Sequence, residues 1–175
     1  ALASTAPVFY SYGNGTYTPT ISTGMFGSAS DAWDYKYNTY LESSAPADYA
    51  GTNGAYVGSV STTVSGSAVL GLWIQLQLPY AILLTGYFTT GRLTSGFSKT
   101  RNWGAWVLAG SNDGSTWTTV DTKSWPQNSN STSDAAPVPY FITATSSYSY
   151  YRFIITSIQS TNFIFETTQI GLFGA

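Results

Sequence analysis

Apolar and polar positions alternate through the middle of the chain. Leu72, Ile74, Leu76 and Leu78 alternate with Trp73, Gln75 and Gln77, and a period of two puts the two sets on opposite faces of a strand. Residues 68–88 are apolar enough to suggest a membrane span. Gln75, Gln77 and Pro79 interrupt them, and their period is that of a half-buried strand. Pro79-Tyr80 predicts a turn into a second strand over 82–89. Further strands are expected over 56–64, 106–110, 117–121, 140–145, 151–156 and 167–173. Residues 111–115 (SNDGS) predict a tight hairpin turn, with Asp113-Gly114 suited to positive φ. Residues 91–102 predict a long loop carrying Arg92, Lys99 and Arg101, and the Ser/Asn-rich 126–139 a second loop. No stretch combines helical periodicity with a cap, and no repeat or heptad occurs. The pattern predicts an all-β sandwich or barrel. It reads as a single domain over 1–175, with 1–18 as a lead-in strand or linker.

Composition narrows the chemistry. Of the 175 residues 43% are hydrophobic, enough for a core, and only 8% are charged, far below the usual quarter. Hydroxyls and amides supply the polarity. The net charge is −2 and six scattered cations make no basic patch, which argues against a nucleic-acid partner. There is no His and no Cys. That excludes imidazole acid–base chemistry, Ser-His-Asp and Cys-His nucleophiles, thiolate or imidazole metal sites and disulfides. Any metal must be held by oxygen. The opening ALASTAPVFY has neither an initiator Met nor a basic stretch, so it reads as a processed or excised piece. Sequons at Asn14 and Asn130 are no more than chance supplies in so Asn-, Ser- and Thr-rich a chain.

Several segments occur in a familiar order: WDYKYNTYLE from Trp33, LWIQLQL from Leu72, GSNDGSTW ending at Trp117, YRFIIT from Tyr151, and QIGLFG near the end. Together, over roughly residues 20–175, they resemble the discoidin, or coagulation-factor type C, family and its carbohydrate-binding-module relatives. The resemblance implies an antiparallel β-sandwich jelly roll of the galactose-binding-like kind. It also implies a binding module rather than an enzyme.

Family members commonly hold one structural Ca²⁺, and the matching positions can be named. Asp34 would offer a carboxylate, Thr39 its hydroxyl and carbonyl, Asp31, Lys36 and Thr168 their carbonyls, and Gln169 its side chain. The family usually has Glu where Gln169 stands, and Ca²⁺ affinity follows ligand charge. A weak Ca²⁺ or Na⁺ site therefore stands beside a plain turn held by Asp34 and Thr39 side chains, and the sequence leaves both open. No organic cofactor is implied.

For ligand binding, the resemblance places Arg92 where an Arg reaches sugar hydroxyls, and Asn162 and Phe163 where an aromatic platform lies. Arg101 and Trp103 close the same loop. A sugar needs a flat apolar ring and planar donors, which these residues offer; the alternative has Phe163 in the core and the Arg side chains solvated. Arg152 reads as a structural pairing residue, with Asp121 or Glu166. Tyr35, Tyr37 and Tyr40 surround the Asp34 loop, and some of them should face outward.

Two functions compete. One is a non-catalytic carbohydrate-binding or adhesion domain recognising glycans on a cell surface. The other is an assembly domain of a virion or another extracellular particle, with other subunits as partners. Either places the chain outside the cell or on a virion surface. A glycoside hydrolase needs a suitably spaced carboxylate pair, and the eight carboxylates mostly have turn or metal roles. A lipid ligand needs a basic rim, for which three cations on one loop are thin.

Overall fold

The computed structural model describes residues 15–44, 48–50, 52–92, 101–124, 137–159 and 164–175. Its centre is one long strand, β6 (Leu72–Thr89). The elements before it are β1 (Thr18–Ile21), β2 (Met25–Phe26), a 3-10 turn at Ala29–Ala32, β3 (Leu41–Ser43), and the hairpin β4 (Ser61–Val64) and β5 (Ser67–Leu70). After it come β7 (Trp103–Ser111), β8 (Thr118–Ser124), β9 (Val138–Phe141), β10 (Ser147–Ile158), β11 (Glu166–Thr167) and β12 (Ile170–Gly174). All strand pairs are antiparallel.

β6 has two sets of neighbours. Its first part lies between β1 and β10, in the order β1-β6-β10-β7-β8. Its last part lies between β9 and β12. The strand is continuous through Pro79-Tyr80, yet the chain reverses there as expected: Tyr87 packs on Phe153, 5.2 Å between ring centroids, and Phe153 is the register partner of Ile74. Tyr148 pairs with Ile82 and Tyr150 with Gln77, so β6 spends five residues where β10 spends two. Pro79 lies in this bulge, where its missing N–H breaks no ladder bond. The expected strand over 56–64 is likewise shorter, only Ser61–Val64. Tyr56 instead folds back, and its hydroxyl accepts from Val60 N at 3.2 Å.

The alternation does place Leu72, Ile74, Leu76 and Leu78 in the core. There they meet Leu108, Tyr151, Phe153, Phe165 and Leu172. Burying such side chains contributes roughly 1.5–3 kcal/mol each before ordering costs. The opposite face of β6 and β10 is covered as well, by the β4–β5 hairpin, with Val64, Ala109, Trp117 and Ile154 as a second small cluster. The Arg152 guanidinium is clamped there between Trp73 and Trp117, 4.0 and 4.1 Å from their ring centroids. It donates to Gln75 Oε1 at 3.0 and 2.7 Å and to Thr62 Oγ1 at 3.0 Å. Arg152 thus pairs with neither Asp121 nor Glu166. Neutral acceptors and π-faces hold it, and burial pushes its pKa down to about 10.

The SNDGS hairpin forms as expected. Asp113 Oδ1 accepts from Ser115 N and Thr116 N at 2.8 and 2.7 Å, and Gly114 takes φ +71°. These bonds hold the Asp113 carboxyl below the usual range. Among the described residues no helix is long and apolar enough to cross a membrane.

One polar group links the two layers. Tyr87, fully buried, donates to Asp121 Oδ2 at 2.8 Å and accepts from Trp106 Nε1 at 2.9 Å. Tyr87→Phe leaves the indole N–H without its acceptor. The expected result in urea denaturation is a loss of about 1–3 kcal/mol with an unchanged m-value. A loss below a few tenths would mean that water replaces the hydroxyl.

Candidate functional site

β6 stops, β7 starts and β10 stops at the same end of the sandwich. The side chains that flank these strand ends meet there. Glu166, on β11, pairs across to Glu42 on β3, and its side chain is only 1% exposed. Arg92 Nη1 and Arg101 Nη1 both donate to Glu166 Oε1, at 2.9 and 2.7 Å. The Arg101 carbonyl accepts from Glu166 N at 2.8 Å, so the backbone is pinned at the same point. A buried carboxylate is tolerated only with such compensation.

Arg92 has two further neighbours. Its Cζ lies 3.5 Å from the centroid of the Tyr40 ring, and its Nη1 lies 3.9 Å from Glu42 Oε2. Burial raises the Glu42 pKa and the Glu166 carboxylate adds to the rise, while Arg92 opposes it. The cluster is therefore a charge-compensated scaffold. Arg92, 20% exposed, is the planar donor it holds near the surface. Such a fork suits vicinal hydroxyls or a carboxylate.

The other residues singled out in the sequence fall as follows. Arg101 joins Arg92 on Glu166. Trp103 is 2% exposed, edge-on to Trp106, Phe153 and Phe165, with its Nε1 donating to Thr167 Oγ1 at 3.1 Å. Its ring is a wall of the core, and among the described residues the ring that lies against Arg92 is that of Tyr40. Asn162, Phe163, Lys99, Asn14 and Asn130 lie outside the described residues. Sequence reasoning missed Tyr40, Glu42 and Glu166 as site residues. The available signal was that Glu166 is one of only eight carboxylates and sits in an otherwise uncharged run.

The residues of the expected metal loop do come together. Gln169 Nε2 is 2.9 Å from Asp34 Oδ1, 3.1 Å from the Asp31 carbonyl and 3.2 Å from that of Lys36. Thr39 Oγ1 lies 3.0–3.1 Å from the Asp34 carboxylate oxygens. The Thr168 hydroxyl turns the other way and donates to the Gly91 carbonyl at 2.9 Å.

The fold has counterparts among solved structures. Similar solved structures include CpGH89CBM32-5 from Clostridium perfringens, in complex with GalNAc-β-1,3-galactose, at TM-score 0.61 and 14% identity over 90% of this chain and 95% of that one. The family 32 carbohydrate-binding module of C. perfringens NanJ, in complex with galactose, matches at TM-score 0.56 and 15% identity over 90% and 91%. The CBM32 of AlyQ, in complex with 4,5-unsaturated mannuronic acid, matches at 0.58 and 16% over 90% and 95%. The fold is thus the expected β-sandwich jelly roll. No family model matches the chain, and no curated protein does.

The raised Glu42 pKa has a definite sign. The folded protein holds that proton more tightly than the unfolded chain. The group's stabilising share is present below the ordinary Glu range and is lost as pH rises through the raised value. Thermal melts of Glu42→Gln against the parent should therefore coincide near pH 3.5. They should separate toward pH 7, with the variant melting higher by a few degrees. A variant that melts lower at pH 7 would show that the Arg92 contact outweighs burial.

Proposed function

We propose that the chain is a non-catalytic carbohydrate-binding module whose ligand docks at the Arg92–Tyr40 end of the sandwich. The observation that carries this reading is the fixed guanidinium. Glu166 orients Arg92, and Tyr40 backs it at 3.5 Å. A donor already held in place loses little conformational entropy when it meets a sugar. The printed ligands of the similar structures, galactose, GalNAc-β-1,3-galactose and an unsaturated mannuronic acid, are the classes to test first. Glycan ligands of these kinds support an extracellular module. A structural Ca²⁺ is not needed for this reading.

A second reading, contact with other subunits of a larger assembly, has one observation in its favour. Phe141 on β9 is 84% exposed and Phe173 on β12 is 43% exposed. The two flank Gly86 of β6, each with a ring atom 3.6 Å from where a Cβ would stand. Paired exposed rings on one sheet suit a packed contact.

Isothermal titration against galactose, GalNAc and uronic acids separates the two readings. A single module with few contacts should bind with a Kd of about 0.1–1 mM and gain through multivalent display. Arg92→Ala should weaken binding at least tenfold. Arg92→Lys should fail to restore it, because the planar fork is lost. Unchanged binding in Arg92→Ala would move the site elsewhere. No binding to any glycan, together with self-association that Phe141→Ser abolishes in sedimentation, would favour the assembly reading.

A further inference from the structure

The loop that the family resemblance assigns to Ca²⁺ is closed by a side-chain amide. Three of the expected oxygen ligands, the carbonyls of Asp31 and Lys36 and Asp34 Oδ1, point at one atom, Gln169 Nε2, at 2.9–3.2 Å. Convergent oxygens around a single centre are what a cation requires. Here the centre is a nitrogen that carries two hydrogens, shared among three acceptors.

Which end of the amide faces the oxygens is fixed by its surroundings. Gln169 Oε1 accepts from Tyr35 N at 2.7 Å. A backbone N–H only donates, so the atom opposite it must be the oxygen. Turning the amide over, to offer Oε1 to a metal, would set the NH₂ against the Tyr35 N–H, donor to donor. Tyr35 is itself held at φ +58°, an uncommon conformation for a bulky residue, and its N–H is committed to Gln169.

The Asp34 carboxylate is engaged too, with the single Thr39 hydroxyl hydrogen shared among Oδ1, Oδ2 and the Lys36 carbonyl. Oδ1 accepts from Lys36 N at 2.9 Å and from Gln169 Nε2 at 2.9 Å, with Thr39 Oγ1 at 3.1 Å. Oδ2 takes Thr39 Oγ1 at 3.0 Å and faces Lys36 Nζ at 3.9 Å. Ca²⁺ would need six to eight oxygens at roughly 2.3–2.6 Å, and the nitrogen stands where it would sit. Among the described residues, no group of three His, Cys, Asp or Glu side chains offers another metal site. The residues present do not fit the ion.

The geometry points to Gln169 as a built-in replacement for the cation: its amide N–H groups do the cross-linking that a metal would do, and the domain folds without one. The amide ties the 31–39 loop to the segment before β12. The tie is neutral and covalently part of the chain, so no free-ion concentration governs it.

The test uses thermal melts and amide NMR of the whole chain. For the parent, the melting temperature in excess chelator should match that in 5 mM Ca²⁺, Mg²⁺ or Na⁺ to within about 1 °C, since an ion that does not bind the folded state adds no stability. The Gln169 side-chain NH₂ signals, assigned by their loss in Gln169→Met, should be shifted apart, slow to exchange with solvent and unmoved by Ca²⁺. Gln169→Glu sets a carboxylate against Asp34 and two carbonyls. In chelator it should melt about 5–10 °C below the parent, and millimolar Ca²⁺ should restore most of the loss in a saturable way. If it is unfolded in chelator, refolding on adding Ca²⁺ is the same result. A saturable rise of the parent's melting temperature with Ca²⁺, or NH₂ signals that move on adding it, would overturn the proposal. So would a Gln169→Glu variant indifferent to Ca²⁺.

Discussion

Four consecutive buried polar side chains hold one end of this sandwich together. Glu166, Thr167, Thr168 and Gln169 are each 1% exposed or less, and each reaches a different part of the chain. Glu166 takes Arg92 and Arg101. Thr167 donates to the Thr90 carbonyl at 2.7 Å and receives Trp103 Nε1. Thr168 donates to Gly91, and its hydroxyl lies 2.7 Å from that of Thr90. Gln169 holds the Asp34 loop. An unpaired polar group at this burial is costly. The segment is therefore stable only if β6, β7 and the 31–39 loop arrive together. Whatever docks at Arg92 docks on a surface defined by that coincidence.

Neutral partners carry most of the load elsewhere as well. Arg152 is held by an amide, a hydroxyl and two indole faces, Tyr87 and Trp106 share one buried hydroxyl link, and Gln169 stands where a cation is expected. A chain with 8% charged residues has few ion pairs to spend. Hydrogen bonds between neutral groups avoid most of the desolvation cost that buried ions carry, and they are little affected by ionic strength. Glu166 is the exception, and its burial draws in two of the chain's six cations.

The sequence made the strands legible where local pattern and tertiary role agree. The 72–78 alternation states which face is buried, and SNDGS carries its own turn chemistry. It misled where local chemistry has two tertiary solutions. Pro79 marked the change of direction, but not that the ladder would continue around it through a bulge of five residues against two. Trp103 beside two Arg residues fits a sugar platform or a core wall. Its depth depends on Phe165 and Phe153, which are distant in sequence. The site was half legible. Arg92 and Arg101 stood out as scarce cations, but their shared carboxylate lies 74 and 65 residues away, and no local signal links them. The metal loop was legible in its members, while the sequence left open whether a cation or a plain turn joins them. One amide can accept toward a cation or donate in its place, and the choice rests on the Tyr35 N–H.

The two halves of the 166–169 segment bear on function in different ways. Glu166 orients Arg92, a group that a ligand can reach, whereas Gln169 fixes the loop that leads through Thr39 into Tyr40, the ring behind Arg92. The donor and its backing ring are thus set by adjacent residues of one buried segment. Their relative position depends little on solvent-exposed contacts. This matters if, as proposed, the module binds sugar weakly at Arg92. At millimolar affinity the net binding free energy is only about 4 kcal/mol, so a further cost of roughly 0.5–1.5 kcal/mol for each long side chain that had to be ordered would remove much of it. A fork and a ring already held in register leave that energy to the ligand, so selectivity among sugars can come from shape and donor placement rather than from contact area.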